Sequence, residues 1–162
     1  MKHYKRQKII VAWHYRKLTL KECTESFIIF IERLKLFDLR LYNWYEGANS
    51  KTEAIKNKAV FEYGYMKNRF CKNCNDDDYP EFTFDIGFWN GALKDEEAMS
   101  ISASLGGEAK FGNNNCILSL PSQGEIFEYY QVQTNYNRLV ELFIDHWKPE
   151  KIMGDDGKWI YL

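Results

Sequence analysis

The chain has 162 residues, 45% of them apolar and 17% aromatic, with a formal net charge of −1. That length suits one domain over residues 1–162, able to remove roughly 70% of its unfolded surface from water, and the composition excludes a chain that stays disordered. The near-neutral balance excludes a global field for nucleic acid or an anionic membrane, so electrostatic function must rest on local charge.

Ile9-Ile10-Val11-Ala12-Trp13 is β-branched and aromatic and predicts a first, buried strand. Thr19-Leu20-Lys21-Glu22 has the spacing of a capping box, and Cys23, Phe27, Phe30, Ile31, Leu34 and Phe37 then recur every three or four residues, predicting a core-facing helix to about Phe37. Leu39 to Tyr45 alternates and predicts a strand ending at Gly47. Ser50-Lys51-Thr52-Glu53 is a second capping box, opening a short helix with Ala54, Ile55 and Ala59.

Phe61 to Phe70 fits either strand or helix, and Cys71 to Pro80 is polar enough for an exposed loop. Phe82, Phe84, Ile86 and Phe88 alternate with Thr83, Asp85 and Gly87, a period-2 strand signal that Asn90-Gly91 closes with a turn. Met99 to Leu105 and Cys116 to Leu120 give two further strands, with Gly112 to Asn115 as the turn between them and an antiparallel meander as the result. Tyr136, Leu139, Val140, Phe143, Ile144 and Trp147 form the stripe of a long helix that Pro149 ends, and Trp159-Ile160-Tyr161 adds a last short strand after a turn at Gly154 to Gly157. The expected fold is α+β, a mostly antiparallel sheet of about five to six strands with two main helices on one face.

The charges are unevenly placed. Lys2, Lys5, Arg6, Lys8, Arg16, Lys17 and Lys21 make the N-terminus basic, whereas Asp76, Asp77, Asp78, Glu81, Asp85, Asp95, Glu96 and Glu97 stand against Lys94 alone in the middle. The basic stretch reads as a solvated tail rather than a nucleic-acid site. The longest apolar run, Phe27 to Ile31, is far below the ~20 residues of a membrane span. With no signal-peptide pattern at the N-terminus, we expect a cytoplasmic protein whose Cys23, Cys71, Cys74 and Cys116 are reduced.

Candidate chemistry is sparse. Cys71-Lys72-Asn73-Cys74 lacks the second CxxC of a four-thiolate site, and Cys23 and Cys116 sit in apolar patterns, so no metal is expected. His3, His14 and His146 have no partner motif; His146 falls in a last helical turn, where a cation suits the macrodipole. The acidic runs, Asp155-Asp156 included, read as solvated loops, and Leu105-Gly106-Gly107 lacks the spacing of a phosphate loop. No catalytic constellation can be assembled and no cofactor is implied. Acidic loops with aromatics suit protein recognition, in which carboxylates steer a basic partner.

Asn43-Trp44-Tyr45-Glu46-Gly47 with the Ser50/Glu53/Ala54 helix start, Gly87-Phe88-Trp89-Asn90-Gly91, Ser100-Ile101-Ser102, Asn115 to Pro121 and His146-Trp147-Lys148-Pro149-Glu150 follow one another along most of the chain. As an ordered set they resemble the immunity protein 52 family of bacterial polymorphic toxin systems. The resemblance implies a non-enzymatic antitoxin that blocks a cognate secreted toxin, typically a restriction-endonuclease-like nuclease, by binding it. On that reading Asp76, Asp77, Asp78, Asp95, Glu96 and Glu97 are the expected carboxylate contacts, with Tyr45, Glu46 and Tyr79 as anchors. Trp44, Trp89 and Trp147 read equally well as structural. A small enzyme whose cleft converges from distant residues, and a toxin adaptor or chaperone, remain as alternatives, and an exposed sheet edge with surplus aromatics is compatible with a homodimer.

Overall fold

The computed structural model describes residues 7–14, 16–73, 83–107 and 114–162. Among these, six strands form one antiparallel sheet: β1 (Lys8–Trp13), β2 (Phe84–Trp89), β3 (Ser100–Leu105), β4 (Asn114–Ser119), β5 (Lys151–Met153) and β6 (Trp159–Tyr161), in the order β2-β3-β4-β1-β5-β6. The helices are α1 (Leu20–Phe37), α2 (Lys51–Ala54), α3 (Tyr63–Asn73), α4 (Glu125–Gln131) and α5 (Gln133–Trp147). The α+β class follows the sequence pattern, as do the β2-β3-β4 meander and the strand at 159–161. The sequence reading did not anticipate α4 and β5.

The period-2 pattern divides the sheet into two unlike faces. Ile9, Val11 and Trp13 of β1, Ile86 and Phe88 of β2, Ile101, Ala103 and Leu105 of β3, and Cys116 and Leu118 of β4 are buried together. Against them lies the α1 stripe of Cys23, Phe27, Phe30, Ile31 and Leu34, all fully buried, so the predicted helix face is the observed one. Leu139, Phe143 and Trp147 of α5 and Met66 and Phe70 of α3 complete this core. Ring contacts mark the joins: Phe27 to Phe88 at 6.2 Å, Phe30 to Phe143 at 4.9 Å and Trp13 to Trp147 at 5.5 Å. On the other face Asp85, Gly87, Ser100 and Ser102 are exposed, and Trp89, Ser104, Ile117 and Ser119 are half-buried.

Local chemistry sets the helix ends. Thr19 Oγ1 accepts from the Glu22 amide at 3.2 Å while Glu22 accepts from the Thr19 amide at 2.8 Å, the reciprocal pair its spacing predicts. Asp38 ends α1: its carboxylate accepts from the Arg40 amide at 2.9 Å, from Arg40 Nη1 at 3.1 Å and from the Tyr130 hydroxyl at 2.5 Å. This local bonding overturns the strand predicted from Leu39 to Tyr45, because a side chain that binds the amide two residues on favours a turn over a ladder. A 3₁₀ turn spans Leu39–Leu41, with Leu39 exposed and Leu41 buried, and only Tyr45 pairs in strand fashion.

Three further expectations are corrected. Ser50 caps α2 through the Glu53 amide at 3.2 Å, but α2 stops at Ala54, leaving Ile55 exposed and Ala59 beyond it in the core. Of residues 61–70, read as strand or helix, 63–70 are helix, and α3 runs on to Asn73, into the stretch read as loop; positions 74–80 lie outside the described residues. Asn114 and Asn115 belong to β4 rather than to a turn. The buried Asn114 amide accepts from Gly107 N at 2.7 Å and donates to His14 O at 2.7 Å, closing the ends of β3, β4 and β1 on one another.

The long C-terminal helix matches its prediction, but not the expected cation at its end. His146 Nε2 lies 3.0 Å from the Ser26 carbonyl, which can only accept, and Nδ1 lies 3.4 Å from Arg33 Nη1, which can only donate. The ring is therefore the neutral Nε2–H tautomer, and burial, followed by the Arg33 charge, pulls its pKa down to about 4. Arg16 serves the C-terminus of α5 instead, donating to Trp147 O at 2.7 Å and Lys148 O at 2.9 Å.

Candidate functional site

Two segments distant in sequence meet beyond the end of β2. Tyr45 and Trp89 exchange both backbone hydrogen bonds, at 2.7 and 3.0 Å, and the Trp89 indole donates to Glu46 O at 3.1 Å. Gly91 adopts φ +72°, and a Cβ there would stand 2.7 Å from Tyr45 Cε2, so the tyrosine ring rests directly on the glycine backbone. The Asn90 side chain closes the loop that follows: its amide donates to Glu97 O at 3.1 Å, and its oxygen accepts from Met99 N at 2.9 Å and Ala92 N at 3.4 Å. Trp89-Asn90-Gly91 thus acts as one clasp, with indole, amide and missing side chain each holding a different partner.

The clasp presents the acidic turn Asp95–Glu97. Glu96 O accepts from Ser122 N at 2.8 Å and Gln123 N at 3.1 Å, which ties the turn to the segment before α4. Lys51 of α2 pairs with the Asp95 carboxylate and donates to Leu93 O at 3.3 Å, and Lys94 Nζ lies 3.7 Å from Glu97. The side chain of Asp95 is 84% exposed and Glu96 is exposed, while Glu97 is half-buried, on a backbone that is held at several points. An open recess of about 280 Å³ lies between Gly47, Lys51, Trp89 and Asp95.

The structure therefore brings Tyr45 and Glu46 together with Asp95, Glu96 and Glu97. It gives Glu46 a different setting from the acidic turn: its carboxylate accepts from the Tyr65 hydroxyl and lies 2.9 Å from Arg69 Nε, with only 20% of the side chain exposed. Burial and then this carboxylate hold the Tyr65 hydroxyl protonated, well above the ordinary tyrosine range. Asp76, Asp77, Asp78 and Tyr79 lie outside the described residues; Thr83, the next described residue, precedes β2 at the end opposite Trp89. Sequence reasoning took Asn90-Gly91 only as a turn and missed Lys51, Tyr65 and Arg69, since lone polar residues in helices carry no spacing signal.

With this arrangement in view, comparison with protein-family models gives a match to immunity protein 52 over residues 9–154. The chain belongs to the immunity protein 52 family. The matched span contains the clasp, the acidic turn and all the elements from β1 to β5 except Lys8. Comparison with curated proteins finds no match.

In this immunity protein Ser26, His146, Cys23 and Cys116 are engaged in the fold. Ser26 Oγ lies 3.3 Å from His146 Nε2, but that nitrogen carries a proton for Ser26 O and cannot act as the hydroxyl's base. Cys23 and Cys116 are fully buried, and burial pushes the Cys23 thiol up to about 12 and the Cys116 thiol still higher. Neither forms thiolate at neutral pH. Cys71 lies in α3, Cys74 and His3 lie outside the described residues, and the exposed His14 stands 3.9 Å from Glu150. Among the described residues no three His, Cys, Asp or Glu side chains group to hold a metal ion, and no helix is long and apolar enough to cross a membrane.

Proposed function

We propose that this protein neutralises a cognate polymorphic toxin by binding it directly in the cytoplasm, and that the toxin is a restriction-endonuclease-like nuclease. The observation that carries the reading is the family match over residues 9–154, which encloses an acidic turn mounted on a rigid clasp. A nuclease cleft must be electropositive to hold phosphates, so exposed carboxylates on a preorganised loop compete for it and speed the encounter. Asp95, Glu96 and Glu97 are the contacts this favours, with Tyr45 as a neighbouring anchor and the recess beside Lys51 and Trp89 sized for one inserted side chain. Asp76, Asp77, Asp78 and Tyr79 are proposed as a second contact stretch. Glu46 enters as the group that positions Tyr45, through Tyr65 and Arg69.

The test is co-expression with the toxin encoded beside this gene, co-purification, and a nuclease assay titrated with the immunity protein. A one-to-one complex with cleavage abolished at equivalence is the expected outcome. Undiminished cleavage at a large excess sinks the reading, and a complex that stays fully active points instead to an adaptor.

A further inference from the structure

The sheet has two edges, and they are not alike. β6 is three residues long, and a short edge strand offers little to pair with. β2 has six residues, and its outer edge is started but not finished. Trp89 exchanges both of its backbone hydrogen bonds with Tyr45, so the amide and carbonyl of Trp89 point away from β3. The β2–β3 register runs without a break from Phe84↔Leu105 to Trp89↔Ser100, so the same groups of Gly87 and Asp85 also point outward. Glu46 turns aside to donate to Asn57 O, and among the described residues no strand continues the ladder past Trp89. Both Asp85 and Gly87 are exposed.

Gly87 supplies an independent observation. Glycine in mid-strand weakens the strand unless geometry demands it. Here it does not: Gly87 has no positive φ, and a Cβ would meet nothing closer than Ile101 O at 3.5 Å and Ser102 Cβ at 3.8 Å. A mid-strand glycine serves a bulge, a tight bend or the close approach of a ligand or another backbone, and the unbroken β2–β3 register removes the bulge.

We infer that the edge of β2 at Asp85 and Gly87, unpaired among the described residues, pairs with an extended segment of the toxin, which joins the sheet as a seventh strand. This rests on the immunity reading above and adds a mode of binding to it. The guest's residue opposite Gly87 is large, because its side chain fills the space above Gly87 and the exposed Ser102 directly across β3. The guest is basic near Asp85, whose carboxylate accepts from the Thr83 hydroxyl at 2.7 Å and, among the described residues, has no cation beside it. β2 runs straight into the loop that carries Asp95–Glu97, so one segment of chain bears both the edge and the acidic turn. A second copy fits less well, since a β2-to-β2 junction gathers both Asp85 carboxylates on one seam.

The experiment measures toxin affinity for the wild type and for Gly87→Pro, with a thermal melt of each. Proline removes the outward amide and leaves the hydrogen bonds to β3 in place, so the variant is expected to melt near the wild type while Kd rises roughly ten- to a hundredfold. Should Gly87→Pro fail to fold, hydrogen exchange in the wild-type complex decides: the Asp85 and Gly87 amides are expected to slow on binding. A wild-type complex with unslowed exchange at both amides, or an unchanged Kd for Gly87→Pro, overturns edge pairing while the immunity reading stands. Absence of any wild-type complex refutes the immunity reading itself. A toxin-free dimer that Gly87→Pro dissociates gives the edge to a second copy and overturns the toxin as its occupant.

Discussion

Trp147 and Trp89 both stand in short aromatic motifs, and the fold uses them in opposite ways. Trp147 is sealed between Trp13 at 5.5 Å and Phe30 at 4.9 Å, where α5 closes over the sheet. Trp89 is half-buried on the sheet face opposite the core, and its indole reaches across to Glu46 O. The first tryptophan joins a helix to the sheet, while the second ties the Tyr45-Glu46 segment to the end of β2. Aromatic residues near glycine and proline therefore do not by themselves mark an interface; what an indole's polar edge reaches decides between the two uses.

The contrast breaks most visibly at the sealed end. Trp147→Ala removes a large buried side chain and its ring contacts with Trp13, Phe30 and His146, and we expect a loss of about 3–5 kcal/mol, enough to unfold much of the population at moderate denaturant. A urea titration of the variant beside Trp89→Ala measures it. Comparable losses for the two variants would remove the distinction between them.

Asp38 tests how the helical layer is joined. It is 8% exposed and receives bonds from the Arg40 amide and guanidinium and from Tyr130 of α4. Asp38→Ala leaves those donors without their acceptor, and we expect a cost of roughly 2–3 kcal/mol. Tyr130→Phe should cost less, because it removes only one of the three donors. A larger loss from Tyr130→Phe in the same titration would contradict this ranking.

Much of this was legible in the sequence, for a physical reason. The α1 stripe, the β2-β3-β4 meander and the α5 stripe are long periodic segments whose burial dictates their pattern. The acidic turn was visible as a charge run. The misreadings share another cause: Leu39 to Tyr45 alternates like a strand, yet one side chain, Asp38, pulls it into a turn. The clasp was half legible, since Asn90-Gly91 announces a turn, whereas the contacts of the Asn90 amide come from residues seven and nine positions on. Partnerships such as Glu46 with Tyr65 and Arg69 join segments that no local pattern relates.

Asn90→Ala sharpens the comparison at the open end. It removes three bonds that close the 91–98 loop, and we expect about 1–2 kcal/mol of lost stability, with faster amide exchange confined to Ala92 and Met99, whose N–H groups lose their acceptor. Toxin affinity should fall more than stability does, since the acidic turn loses its fixed placement. Equal falls in the two would mean that the clasp serves the fold alone.

His146 yields a pH dependence at the sealed end. Its folded pKa of about 4 lies below the ordinary value of 6.5, so between these limits the unfolded chain binds more protons and acidification favours unfolding. The penalty is absent above pH 6.5, grows as pH falls and is complete below about 4. Because the ring is partly solvated, we expect roughly 1 kcal/mol by pH 5. Arg33 and Asp145 face the same ring and stay charged in this window. His146→Gln, which can still donate to Ser26 O and accept from Arg33, should flatten the slope between pH 7 and 5. An unchanged slope would place the proton uptake elsewhere.

The smallest expected stability effect is at Lys51, and it bears most directly on the open surface. Lys51 pairs with Asp95 across two well-exposed side chains, so Lys51→Met should cost no more than about 0.5 kcal/mol. The same change takes one positive charge from beside the Asp95 carboxylate and makes the turn more negative. If the acidic turn steers a basic toxin, association should quicken by roughly two- to fivefold at low ionic strength, and the gain should shrink as salt screens the field. Stopped-flow mixing at two salt concentrations separates the rate from the stability. A gain that ignored salt would come from packing in the recess, and an unchanged rate would place the toxin's approach away from Asp95, leaving the edge of β2 to stand or fall alone.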